Sequence, residues 1–284
     1  MIESVSNSGT VIPALSDSDY SQGKSAKVVA AIGWGMTSAF ASLNQTLFAN
    51  AESQIGANDG RIPVFNTRKP PYRMICALEL DFGPDYEKFH GTGWLAGPRS
   101  VISAGHCLHD ATMGWVRSVV VDPGRNGDGS NARPFGTAIA KRFSVPQKWE
   151  AGADPAFDIG CIHLDQPWGD TLGWLAFGAS EAEFAAQKDL RSAGYSDYFA
   201  KNSIPLKSAG NSVGVARGRL FYTLDTEHGV SGAPVMLAAD PPRAVALHAY
   251  SEDEQVPEIG EESNSGPLLG PAMIDLINRW NTIS

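Results

Sequence analysis

Cysteine is scarce in this chain of 284 residues: Cys76, Cys107 and Cys161 are the only three, and none form a Cys-x-x-Cys pair. Zinc and iron–sulfur sites need closely spaced thiolates, so the spacing excludes them. An odd count leaves at least one thiol unpaired within the chain. The preferred reading is three buried small hydrophobes, with a single unassigned disulfide as the alternative. Cationic residues are also short, with 22 Lys and Arg against 31 Asp and Glu, for a net charge of −9. Nucleic acids and anionic membranes reward clustered cations, so neither is an expected partner. No apolar run reaches the roughly 18 residues that span a bilayer. At 43% apolar and 19% charged, the chain can nevertheless bury a sizeable core, which argues for a soluble globular protein.

The first 52 residues differ from the rest. Residues 1–23 are rich in Ser, Asp and Gly without apolar periodicity, and read as disordered. Lys24-Ser-Ala-Lys27 then leads into the apolar stretch Val28–Met36 and an Ala39-Phe-Ala41 exit, the pattern of a secretory signal that begins unusually late. The competing reading is an amphipathic helix of a pro-segment, with Ala31, Met36, Phe40 and Leu43 at helical spacing. Either way, residues 1–52 form a separable leader and residues 53–284 the main domain.

From Arg61 onward, short apolar runs alternate with turn clusters. The runs are Met74–Leu80, Trp94–Ser103, Arg117–Val121, Ile159–Leu164, Leu220–Leu224, Pro234–Leu237 and Val245–Ala249. Many short strands punctuated by Gly, Pro, Asn and Asp predict an all-β sandwich or barrel. The clearest helix is the last element, with Pro271 at its first position and Met273, Ile277 and Trp280 on one face.

Three stretches carry chemistry. An apolar strand ends in Ser-Ala-Gly-His106, Asp158 precedes the apolar run Ile159–Leu164, and Ser231 sits in the turn Gly229-Val-Ser-Gly. A serine hydroxyl is a poor nucleophile until an imidazole takes its proton, and the imidazole needs a carboxylate on its other nitrogen. A tetrahedral oxyanion needs donors, which the backbone N–H groups of Gly229 and Ser231 can supply. Each stretch alone is a common pattern, but their conjunction in this order is specific. The α/β-hydrolase alternative fails, because its acid and histidine follow the serine and its elbow reads Gly-x-Ser-x-Gly. His106 and His109 lack a third partner for a metal site, and the glycine-rich loop 124–129 lacks the Lys-Ser or Lys-Thr of a P-loop.

These residues resemble the trypsin-like serine peptidases, and within them the bacterial glutamyl endopeptidases. The resemblance runs over about residues 53–284 through Thr92-Gly-Trp-Leu-x-Gly-Pro98, Ala104-Gly-His-Cys107, Pro123-Gly-Arg-Asn-Gly127, Ser144-Val-Pro-x-x-Trp149, Asp158-Ile-Gly160, Ala193-Gly-Tyr195, Asp225-Thr-x-x-Gly-x-Ser-Gly-x-Pro234 and Ala246-Leu-His248. It implies two antiparallel six-stranded β-barrels with a C-terminal α-helix. It also implies His106 as general base, Asp158 as its orienting carboxylate, Ser231 as nucleophile, no cofactor or metal, and a peptide substrate for a secreted or periplasmic monomer.

For specificity, His248 matches the family's glutamate-contacting histidine and Thr226 a pocket hydroxyl. His228 stands where a glycine is usual, and adds a donor at the pocket mouth. The runner-up is cleavage after Arg or Lys through Asp225, six residues before Ser231, although glutamyl endopeptidases also carry Asp there. A non-catalytic binding module on the same fold is the third reading. Val230 cannot form the ion pair of trypsin activation, so maturation is expected by cleavage after Glu52, with the new amino group approaching the pocket. Gly91 replaces the cysteine that bacillary relatives pair with the residue after the histidine, leaving Cys107 without that partner.

Overall fold

The computed structural model describes residues 2–12, 29–30, 59–197, 203–251, 256–260 and 263–283. In chain order the strands are β1 (Ser4–Ser6), β2 (Thr10–Ile12), β3 (Val29–Ala30), β4 (Ile62–Pro63), β5 (Ile75–Asp81), β6 (Phe89–Leu95) and β7 (Ser100–Ser103). Next come β8 (His109–Asp110), β9 (Gly114–Trp115), β10 (Ser118–Pro123), β11 (Ala138–Ala140), β12 (Arg142–Pro146), β13 (Gly160–His163) and β14 (Ala176–Phe177). The last are β15 (Asp189–Tyr195), β16 (Pro205–Ala216), β17 (Arg219–Tyr222), β18 (Pro234–Leu237), β19 (Arg243–Leu247) and β20 (Asn264–Pro267). Helix α1 spans Gln147–Gly152, α2 Trp168–Leu172 and α3 Pro271–Trp280.

Two curled sheets carry the fold. The first runs β11-β10-β5-β6-β7-β13-β12-β1-β2-β3; the second runs β14-β19-β18-β15-β16-β17-β20, with β4 on β16. The two-barrel expectation holds, but the strand counts are ten and eight rather than six each. The excess comes from short edge pieces, among them β14, which pairs parallel to β19, and the N-terminal hairpin. The apolar run 94–103 breaks into two strands because Ala96-Gly97-Pro98-Arg99 turns the chain between β6 and β7. Proline lacks the N–H a continuous ladder needs.

The reading of residues 1–23 as disordered does not hold for residues 2–12. There β1 pairs antiparallel with β12 (Val5 opposite Val145) and with β2. A serine-rich strand has little apolar signal, and its backbone ladder is invisible to composition. The rest of the leader, including most of the signal-like stretch 24–41 and the Glu52–Ser53 junction, lies outside the described residues.

The main core joins the first sheet to α3. Trp94, Leu95, Val101, Ile102, Phe143, Ile162, Leu276, Ile277 and Trp280 are all fully buried in it. The predicted apolar face of α3 is present, with Leu276 added to it. A second core lies in the other sheet around Leu190, Leu220, Tyr222, Val235 and Val245. Burial of each large aliphatic side chain contributes about 1.5–3 kcal/mol. Cys76, Cys107 and Cys161 are free thiols buried among these residues, as the preferred reading of the sequence has it, and burial pushes Cys161 up to about 12.

Candidate active site

The histidine, carboxylate and serine each sit just past the end or just before the start of a strand. After β7 the chain makes one helical turn, with the N–H groups of Leu108 and His109 donating to the Gly105 carbonyl. That turn projects His106 back over the sheet. Asp158 follows a short 3₁₀ turn, Pro155–Phe157, whose start is capped by the Asp154 side chain accepting from the Ala156 N–H. β13 begins two residues later and pairs with β7, Gly160 opposite Ser103. This register brings the two loops together.

Asp158 is fully buried and accepts twice from His106, at Oδ1 from the backbone N–H (2.8 Å) and at Oδ2 from Nδ1 (2.8 Å). Two bonds fix both the position of the loop and the plane of the ring. Gly105 is required for this closeness, because a Cβ there would lie 3.0 Å from Asp158 Oδ1 and 2.9 Å from the Trp149 ring. Trp149 in turn donates from Nε1 to the His109 carbonyl (3.1 Å). Burial pulls the His106 imidazole down, but the Asp158 carboxylate outweighs it and holds the group well above its ordinary value of 6.5.

The serine turn is held from both sides. The Val230 N–H donates to Glu227 O (3.1 Å) and the Gly232 N–H to His248 O (2.7 Å). The N–H groups of Gly229 and Ser231 alternate with these. Gly229 has φ of 87°, and a Cβ there would lie 2.5 Å from Tyr195 O; Gly232 has φ of 88° and equally little room. Both positions demand glycine. Thr92 of β6 ties this turn to the first barrel. Its N–H donates to Ser231 O (2.9 Å), its Oγ1 donates to Gly229 O (2.9 Å), and Oγ1 also accepts from the Tyr195 N–H (2.9 Å). Sequence reasoning missed this role, although Thr92-Gly-Trp was visible as a motif.

An open cleft is lined by Phe89, His90, His106, Cys107, Asp197, His228, Gly229 and Ser231. His106, Ser231 and His228 are therefore brought together. His228 shares the lining with His90 and Asp197, which pair at 2.8 Å, and its carbonyl accepts from the Asp197 N–H (2.8 Å), while Thr226 and His248 are not part of this lining. Those two are buried in the second barrel. His248 Nδ1 lies 2.9 Å from the hydroxyl of Tyr222, a partner the sequence did not reveal. Burial pushes His248 down to about 3, with the nearby His106 charge adding to the push, so its ring is neutral. The Thr226 hydroxyl is buried without a hydrogen-bond partner.

Asp225 is engaged at the start of the main domain, where Oδ2 accepts from the Gly60 N–H (3.0 Å). Beside it, Arg61 grips Asp59 through two nitrogens (2.9 and 3.1 Å) and also pairs with Glu227. Glu227 Oε2 further accepts from Ser196 Oγ (2.5 Å). Among the described residues, no group of three or more His, Cys, Asp or Glu stands together as a metal cradle.

No family model matches the chain. It is 31% identical over 236 residues to a glutamyl endopeptidase of Bacillus licheniformis, covering 81% of this chain and 69% of that protein. It is also 29% identical over 188 residues to a Bacillus subtilis protein named an extracellular metalloprotease, covering 64% and 57% respectively. Among solved structures, a Glu endopeptidase in complex with MPD superposes with a TM-score of 0.67 at 22% identity, over 80% of this chain and 99% of that one. The protease Anisep from Arthrobacter nicotinovorans gives 0.59 at 17% identity, over 75% and 96%. The chain belongs to the chymotrypsin-fold serine endopeptidases related to glutamyl endopeptidase.

Proposed function

We propose that the enzyme cleaves peptide bonds through an acyl-enzyme on Ser231, with His106 as general base and Asp158 as its orienting carboxylate. The observation that carries this reading is the doubly bonded His106–Asp158 pair sharing a cleft with Ser231. With Nδ1 held by Asp158, Nε2 is the nitrogen that takes the Ser231 proton as Oγ attacks the substrate carbonyl. The N–H groups of Gly229 and Ser231 receive the oxyanion. The imidazolium then gives its proton to the leaving amine as the C–N bond breaks. Water repeats the sequence and frees Ser231.

The preference proposed is for Glu before the cut bond. A neutral His248 whose Nδ1 accepts from the Tyr222 hydroxyl carries its proton on Nε2, free to donate to a carboxylate. The unpartnered Thr226 hydroxyl supplies a second donor. A buried hydroxyl without a partner is costly, and a substrate carboxylate would satisfy it. Asp225 favours Arg or Lys only if its carboxylate faces substrate, and the Gly60 N–H already engages it. His228, at the cleft, fits contact with a neighbouring part of the substrate better than with the Glu side chain itself. We further read residues 1–52 as a leader severed from the main domain by cleavage after Glu52, and the enzyme as an exported monomer without cofactor.

Replacing Ser231 by Ala should lower turnover by about 10⁴-fold or more and abolish labelling by a fluorophosphonate probe, with the circular dichroism spectrum unchanged. A folded S231A protein that keeps wild-type rates would remove the assignment. A wild-type enzyme that never labels would point to the binding module.

A further inference from the structure

Residues 2–12 are hydrogen-bonded into the first barrel. Strand β1 lies on the edge of β12 with Ser4 opposite Pro146 and Ser6 opposite Ser144. The Gln147 N–H donates to Glu3 O (3.0 Å) and the Asn7 N–H to Phe143 O (3.1 Å). Asn7 extends the ladder with its side chain, donating to Lys141 O (2.7 Å) and accepting from the Phe143 N–H (3.0 Å). Ile2 is inserted in the main core.

The receiving surface is itself specialised. Trp280 is fully buried, and its Nε1 donates to the Oγ of Ser4, also fully buried (3.1 Å). Arg279, 2% exposed, donates to the carbonyl of Ile2. Without residues 2–4 the indole would lose its acceptor, Ser4 Oγ, and the guanidinium would lose the Ile2 carbonyl. Arg279 also pairs with Asp275 (3.4 Å), so its charge stays compensated, but a buried N–H that loses its acceptor still costs desolvation free energy. The two donors on α3 fit one occupant, this segment of the same chain.

We infer that residues 2–12 are a constitutive strand of the catalytic barrel, retained when the connecting segment is cut, so that the mature enzyme is two pieces held without a covalent bond. The inference rests on the maturation reading only in that a cut falls between residues 13 and 58. The open cleft is lined by no residue of 2–12, so a retained strand leaves it unobstructed. Its effect runs instead through β12, which pairs with β13, Ser144 opposite Cys161, three residues beyond Asp158. A strand folded into this barrel must also share its compartment. The stretch 24–41 is therefore part of a pro-segment rather than a secretory signal cut away on the far side of a membrane.

The test uses the full chain carrying Ser231→Ala, to prevent self-cleavage, with residues 46–52 replaced by the recognition sequence of an unrelated site-specific protease. After complete cutting, the N-terminal fragment should co-elute with the body in native gel filtration and separate from it in urea. Val5→Pro, which removes a ladder N–H between two strands, should weaken retention about tenfold or more. A body that loses its thermal midpoint when stripped, and regains it with a synthetic peptide of residues 2–12, supports the inference equally. A fragment that elutes alone, leaving a body with unchanged melting temperature, overturns it. N-terminal sequencing of the wild-type enzyme decides separately whether the natural cut lies between residues 13 and 58.

Discussion

Gly91 and Cys107 face each other across the cleft wall, where an ideal Cβ on residue 91 would lie 3.2 Å from the Cys107 Sγ. A disulfide places each Cβ about 3 Å from the opposite sulfur. Gly91→Cys should therefore oxidise spontaneously with Cys107 and close a loop of about 15 residues, a constraint of about 3 kcal/mol. Thiol titration and mass spectrometry under air would detect it, and a variant that keeps four free thiols would show the geometry to be wrong. His106, Asp158 and Ser231 were legible because each belongs to a local motif that a single strand end or turn dictates. Tyr222, Thr92 and Arg279 were not legible. Tyr222 reads as one more apolar strand residue until the fold places it beside His248. Arg279 reads as a solvated helix residue until the carbonyl of Ile2 comes to meet it.

At the level of elements, the runs with clear apolar content became strands close to where they were expected, and Pro234–Leu237 matches residue for residue. Strands β15 and β16 were missed. Lys207-Ser-Ala-Gly-Asn-Ser212 is small and polar, and holds its strand through pairing on both sides rather than through apolar alternation. The loop linking these elements to the active site depends on Arg61 and Glu227, whose side chains are only 7% and 10% exposed. Because Glu227 O also accepts from the Val230 N–H, the pair holds the base of the serine turn. Glu227→Gln should slow fluorophosphonate labelling about tenfold or more, with most of the thermal stability kept. The exchange Arg61→Glu with Glu227→Arg should recover part of that rate. Equal labelling rates in all variants would show the pair to be structural only.

Across the whole molecule, two buried neutral histidines set an acid limit on stability. His163 bonds Ser144 Oγ at 2.9 Å and is pushed down to about 4 by burial, with Arg142 adding to the effect; His248 is pushed to about 3. In the unfolded chain both titrate near 6.5. Between about pH 6.5 and 4 the unfolded state then binds more protons than the folded one, so stability falls as pH falls. The depression of His163 alone corresponds to about 3 kcal/mol. His163→Gln should lose less stability than wild type between pH 7 and 4.5, measured by urea midpoints; equal losses would contradict the burial argument. His106, held high by Asp158, has the opposite sign: the pair is strongest when the imidazole is charged. Turnover, which needs it neutral, should rise with pH through a group titrating above 6.5.

The all-β character was readable from the short strand runs, the two-barrel architecture only through the family resemblance, and the His-Asp-Ser order of the candidate site from its three local motifs. The N-terminal hairpin was not, because its stability comes from a backbone ladder and from donors nearly the whole chain away. The most direct test of the central claim is kcat/KM on three matched chromogenic peptides differing only in Glu, Gln or Arg before the cut bond. A pocket built from neutral His248 and the Thr226 hydroxyl predicts Glu over both others by about 100-fold or more, with the preference reduced in Tyr222→Phe. Preference for Arg would transfer the pocket to Asp225, and equal rates for Glu and Gln would show that no carboxylate is being recognised.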